Sequence, residues 1–191
     1  METHASPASV LASWLAEEAA QQARLEAGAG PGVAAPDTVA SMDGLAQMQA
    51  LLRGELPYAQ IGKTLHFMLM EVTRGRAVFQ GAPRTEHLNP MGAVHGGWFA
   101  TLLDSALGCA VHSALPQGKA YTTLELKVNM IRALNPAVAR VRAEGQVIHV
   151  GGQTATADAR LVGADGKLYA HASTTCLVFS LRPAGAPQSR P

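Results

Sequence analysis

The chain has 191 residues, of which 48% are apolar, and a formal net charge of +1. Such a composition suits one ordinary folded domain with residues to spare, and argues against disorder. The near-neutral charge gives no electrostatic case for nucleic acid or an anionic membrane. Two cysteines, Cys109 and Cys176, are too few for a disulfide scaffold, and there is no C-x-x-C. No apolar run approaches the roughly 18 residues of a membrane span, and the N-terminus has no basic stretch before an apolar core. The expectation is a soluble cytoplasmic protein.

In chain order, Val10, Leu11, Trp14, Leu15 and Ala19 fall at helical spacing and predict a short amphipathic helix. AGAGPGVAAP (27–36) reads as a flexible linker, since Gly and Pro interrupt regular structure. A second helix is predicted from Thr38 to Arg53. Its Met42, Leu45, Met48 and Leu52 recur every three to four residues, and Gly54 and Pro57 stop it. That stripe either packs on the core or lies as a lid over the acyl end of an apolar pocket, whereas residues 1–36 are expected to be dispensable for turnover.

From residue 64 the period becomes two. TLHFMLMEV (64–72) and RAVFQGA (76–82) predict strands joined at Thr73-Arg74-Gly75. A glycine-rich loop leads to a helix over 96–112 that is apolar nearly all round, as only a buried helix is. Four alternating strands follow. Leu124, Leu126, Val128 and Met130 mark one face of the first, and Ala139, Val141 and Ala143 one face of the second. Ala155, Ala157, Ala159 and Leu161 mark the third, and Leu168, Ala170, Ala172, Cys176 and Val178 the fourth. Short turns at Gly151-Gly152 and Asp165-Gly166 make these pairings antiparallel. The order β-β-α-β-β-β-β predicts an α+β fold, a curved antiparallel sheet wrapped around one central helix.

One acid, Asp104, sits inside that apolar helix, and a buried carboxylate is costly unless it is paired or used. Gly97, Ala100, Thr101 and Gly108 share its face and are small. Gly96 and Gly97 open the helix, where unpaired N–H groups and the helix dipole suit a developing oxyanion. His95 just ahead reads as a cap or a packing residue. Cys109 and Cys176, each on an apolar face, read as packing residues. His87, His95 and Asp104 follow no zinc spacing, and no metal is expected.

N-P-M-G-A-V-H-G-G-W-F-A-T-L-L-D (89–104) followed by Y-T-T-L-E-L-K-V-N (121–129) resembles the PaaI-like branch of the hotdog-fold acyl-CoA thioesterases, in the 4-hydroxybenzoyl-CoA thioesterase-like superfamily. Asn89 stands six positions before His95, and Asp104 nine after it. The resemblance covers about residues 55–180. It implies a hotdog domain over 37–183, including the leading helix, with an extension and linker over 1–36 and a tail over 184–191. It further implies a homodimer or homotetramer with active sites between subunits, and hydrolysis of an aromatic or medium-chain acyl-CoA.

On that resemblance Asp104 is general base or nucleophile, the Gly96 N–H polarises the thioester carbonyl, Asn89 orients water or substrate, and His95 supports. Gly97 borders the substrate. Thr122 or Thr123 reaches the neighbouring site: strand parity puts Thr122 with the inward face and Thr123 outward, which leaves the choice open. His149, Gly151 and Gly152 match the stretch near the CoA nucleotide, but Gln153 stands where relatives carry a cation, so Arg132, Arg140 and Arg142 become candidates for the phosphates. No cofactor is implied beyond CoA itself, which enters with the substrate. The alternative is an acyl-CoA binding or sensing protein on the same fold.

Overall fold

A computed structural model of the chain describes residues 6–181; the tail over 184–191 lies outside them. Helices α1 (Pro7–Ala27), α2 (Pro36–Ala40), α3 (Gly44–Leu52) and α4 (Gln60–Thr64) precede strands β1 (Phe67–Thr73) and β2 (Arg76–Gly81). A short 3-10 turn, Thr85–His87, leads to α5 (Gly96–Ala114), then β3 (Lys119–Met130), β4 (Val141–Val150), β5 (Thr154–Gly163) and β6 (Leu168–Ser180). The strands form one antiparallel sheet in the order β1-β2-β4-β5-β6-β3. No helix among the described residues is long and apolar enough to cross a membrane.

The sheet curls around α5. Leu102, Leu103, Ala106, Leu107, Ala110 and Val111 are fully buried there. The facing row is small: Ala143, Ala155, Ala157, Ala170 and Ala172 line the concave side. At Gly145 the approach is so close that a Cβ would overlap the Ala106 carbonyl. Alanine and glycine on the strands therefore set how deeply the helix sits.

Three expectations from the sequence are corrected. The helix expected over 38–53 is broken at Ser41–Asp43. The Asp43 carboxylate accepts from the Ala46 N–H at 2.8 Å and starts α3 anew, because a short polar side chain competes for backbone partners. The strand expected from Thr64 begins only at Phe67, since Gln60–Thr64 is helical and His66 takes a left-handed φ of 55°.

The third correction is larger. α1 is not an appendage; it lies across the outer face of β2 and β4. Its inward stripe runs Trp14, Glu18, Gln21 and Leu25. Arg142 stacks over the Trp14 ring at 4.5 Å and pairs with Glu17, while Arg140 pairs with Glu18. Gln80, only 2% exposed, donates to the Trp14 carbonyl and to Glu18. Gln21 donates to the Leu52 carbonyl at 2.9 Å. The segment read as a linker is tied down too: Ala29 N–H donates to Gly54 and Gly32 N–H to Tyr58, at 2.8 and 2.9 Å.

Hydrogen bonding from Arg142 holds the Glu17 carboxyl below its ordinary range. Burial alone would raise Glu18, but bonds from Arg140 and Gln80 outweigh it and lower that group as well. Both groups favour the folded state at neutral pH. That stability is complete above the ordinary carboxylate value of 4.5 and is lost as pH falls below it. Arg142→Ala should cost about 2 kcal/mol by urea denaturation, since it strips partners from Glu17 and buried Gln80; a loss under about 0.5 kcal/mol would show that the contact is an unproductive surface pair.

Candidate active site

Asp104 occupies the middle of α5, half-buried, and the Thr123 hydroxyl donates to its Oδ1 at 3.1 Å. The carboxylate lies on the wall of a cavity of about 240 Å³. The remaining wall is mostly apolar and includes Met48 and Leu51 of α3, Leu25 of α1, Phe67, Phe79 and Tyr121. Burial holds the Tyr121 phenol well above its usual range, with the charges of Cys109 and Asp104 adding. Burial, with the Asp104 charge adding, pushes the neighbouring Cys109 thiol up to about 12, so it is no nucleophile at neutral pH.

Strand parity misassigned the threonines. Thr123 pairs with Cys176 and Glu125 with Thr175, so Leu124 is an extra residue bulged out of β3 and 61% exposed. A one-residue bulge exchanges the faces on its two sides. Before it, Tyr121 and Thr123 turn inward and Thr122 outward; after it, Leu126 and Val128 turn inward. The bulge takes Leu124 off the expected face, while Met130, in step with Leu126 and Val128, is exposed at the end of the strand.

At the N-terminus of α5, His95 caps the helix: its Nδ1 accepts from the Gly97 N–H at 2.9 Å. In the neutral ring the proton then sits on Nε2, facing away from the helix bonds. The Gly96 N–H has no acceptor among the described residues, and a Cβ at Gly96 would meet Met130 Cε at 2.7 Å. Asn89 Oδ1 accepts from the Met91 and Ala93 N–H groups at 2.9 and 3.2 Å. Its carbonyl oxygen shapes the loop, and the Nδ2 group is left for other partners. Eight residues of helix, roughly 12 Å at 1.5 Å per residue, separate Gly96 from Asp104.

The structure does not bring every expected residue to this cavity. His149, Gly151 and Gly152 form the exposed end of the β4–β5 hairpin. That hairpin stands beside Leu177 of β6, whose other neighbour is Thr122. Arg140 and Arg142 are committed to α1 and do not reach for phosphates. Arg132 is exposed and makes no ion pair among the described residues. His66, Glu86 and His87 do form a cluster spaced for a metal ion. However, His87 Nδ1 accepts from the Arg84 N–H at 3.2 Å, so the neutral ring carries its proton on Nε2 and offers no lone pair there. Leu25, Tyr58, Met68 and Tyr121 were missed in the sequence as cavity residues; Tyr121 alone carried a signal, its place beside the threonines.

Known proteins share this fold. The thioesterase superfamily profile matches residues 91–170. A candidate esterase of Saccharolobus solfataricus is 30% identical over 116 residues, 59% of this chain and 79% of that protein. A candidate esterase of Halobacterium salinarum is 40% identical over 80 residues, 41% of this chain and 51% of its own; the chain spans about half the length of that relative. A Ralstonia eutropha structure, described as a candidate thioesterase related to phenylacetic acid degradation, superposes with a TM-score of 0.62 at 27% identity, covering 68% of this chain and 97% of that one. A mutant of the phenylacetic acid degradation protein PaaI from Thermus thermophilus gives 0.56 at 28%, covering 62% and 97%. The chain belongs to the thioesterase superfamily, in its PaaI-like hotdog branch.

The threonines are separable by substitution. Thr123→Val keeps the shape and removes the donor to Asp104, so kcat should fall roughly tenfold. Thr122→Val should fall less than twofold, to order of magnitude. Equal losses in steady-state assays would mean that the bulge does not select the threonine.

Proposed function

We propose that the chain hydrolyses the thioester of an acyl-CoA to a free acid and CoA, with Asp104 as the acid-base or nucleophilic centre. The observation that carries this reading is the Asp104 carboxylate, held by Thr123 on the wall of an apolar cavity. As general base, Asp104 takes a proton from water while the oxygen adds to the carbonyl carbon; as nucleophile, it adds to that carbon itself. Either way the C–S bond breaks and the CoA thiolate takes up a proton; on the nucleophilic route water then cleaves the acyl–Asp104 anhydride, which frees the acid and restores the carboxylate.

The developing oxyanion needs a donor within hydrogen-bond reach. Gly96 of the same chain is too far along the helix to serve the carbon that Asp104 serves. The helix start of a second copy supplies it in this reading, with Asn89 and Gly97 alongside. β3 supports the pairing as an edge strand with Leu124, Met130 and Ile131 exposed near it, since unprotected edges tend to be covered. The assembly is a homodimer or a pair of them, acting in the cytoplasm, where Cys109 and Cys176 stay free thiols.

A cavity of about 150 Å³ accepts benzene, so 240 Å³ suits an aromatic acyl group or a medium alkyl chain. The names of the Ralstonia and Thermus proteins make phenylacetyl-CoA one substrate to try, beside straight-chain acyl-CoAs.

Asp104→Asn should lower kcat about 10²-fold or more in a free-thiol assay, with melting temperature retained; near-native turnover would remove Asp104 from the mechanism. Tight acyl-CoA binding by the wild type with no turnover would make the chain a sensor instead. Light scattering at micromolar concentration should give at least a dimer, and an active monomer would defeat the shared site.

A further inference from the structure

A second cavity, of about 630 Å³, opens between α1, α4 and the edge strand β1. Leu25, Tyr58, Gly62, Phe67 and Met68 line both this cavity and the one that holds Asp104. The two therefore share one wall, drawn from α1, the loop before α4, α4 and β1, and apolar except for the Tyr58 hydroxyl. Gly62 lets α4 approach β1 closely: a Cβ there would stand 2.8 Å from the Phe67 carbonyl oxygen. The exposed Glu26, Lys63 and Arg84 stand where the outer cavity meets solvent.

The inner cavity alone is smaller than most ligand sites, which span about 300–1,000 Å³. A rigid aromatic ring would end inside it. A flexible alkyl chain can displace the Leu25 and Met68 side chains that divide the two cavities and continue into the outer groove, and each further methylene buried there strengthens binding by about fourfold. Resting on the thioesterase reading, we infer that the substrates are straight-chain fatty acyl-CoAs longer than the inner cavity holds, whose distal methylenes lie under α1. The N-terminal helix is then a specificity element, the roof of an acyl tunnel. Its ion pairs with Arg140 and Arg142 hold that roof on the sheet.

The test compares palmitoyl-, octanoyl- and phenylacetyl-CoA on the full chain by free-thiol release. Wild type should have its highest kcat/KM with palmitoyl-CoA. Leu25→Trp fills the passage from the α1 side and should lower the palmitoyl-to-octanoyl ratio of kcat/KM about tenfold or more. Met68→Trp narrows it from β1 and should act in the same direction, which covers the case in which one variant does not fold. An unchanged ratio in a folded variant, or a wild type that prefers phenylacetyl-CoA, overturns the tunnel. Titration of palmitate by calorimetry separates this from the catalytic reading. If wild type hydrolyses no acyl-CoA but binds palmitate more tightly than Leu25→Trp does, the tunnel stands and the hydrolysis falls. No difference in palmitate affinity between them sinks the tunnel whatever the turnover.

Discussion

The seat of α5 inside the curled sheet is the constraint from which the rest follows. A helix with Leu102, Leu103, Leu107 and Val111 fully buried must be covered on nearly every side. Six strands can do so only if their inner side chains are short, and the alanines of β4, β5 and β6 together with Gly145 meet that demand. Once the helix is seated, Asp104 has one direction left. It faces the gap where β3 and β1, the two ends of the sheet, leave the helix less completely covered. A carboxylate at that gap keeps part of its solvation and a donor from Thr123, so its charge is tolerable in an otherwise apolar helix.

The bulge at Leu124 completes that gap. Without it, Thr123 would point away from α5 and Asp104 would lose its hydroxyl partner. The extra residue also turns Leu124 outward at the free edge of the sheet. One irregularity thus serves the site on one face and the exposed edge on the other. Bulges recur beside active sites because they re-aim a single side chain without moving the strand.

The N-terminal helix has a different physical basis. Its buried stripe is mixed, with Glu18 and Gln21 between Trp14 and Leu25. It docks through a network in which the buried polar groups Gln80 and Arg142 find partners on α1. Were α1 absent, those groups would face water while Leu25 vanished from the cavity wall. The same helix therefore satisfies the outer face of the sheet and closes the space beside the Asp104 carboxylate.

The sequence by itself determined the element order, the burial of α5, the small inner faces of β4 to β6, and the spacing that places Asp104 nine residues after His95. These are properties of neighbouring residues: periodicity, turn chemistry and covalent distance. It left His95 as a cap or a packing residue, and the Gly97 bond makes it a cap. What only the tertiary structure decided was which threonine meets Asp104, where α1 goes and what walls the cavity. The bulge arises from pairing two residues of β3 against one of β6, and nothing local in Y-T-T-L-E announces it. Arg140 read as a candidate for the CoA phosphates because its partner, Glu18, lies 122 residues away. Alternation separates two faces of a strand, but it cannot say which distant element will cover the polar one.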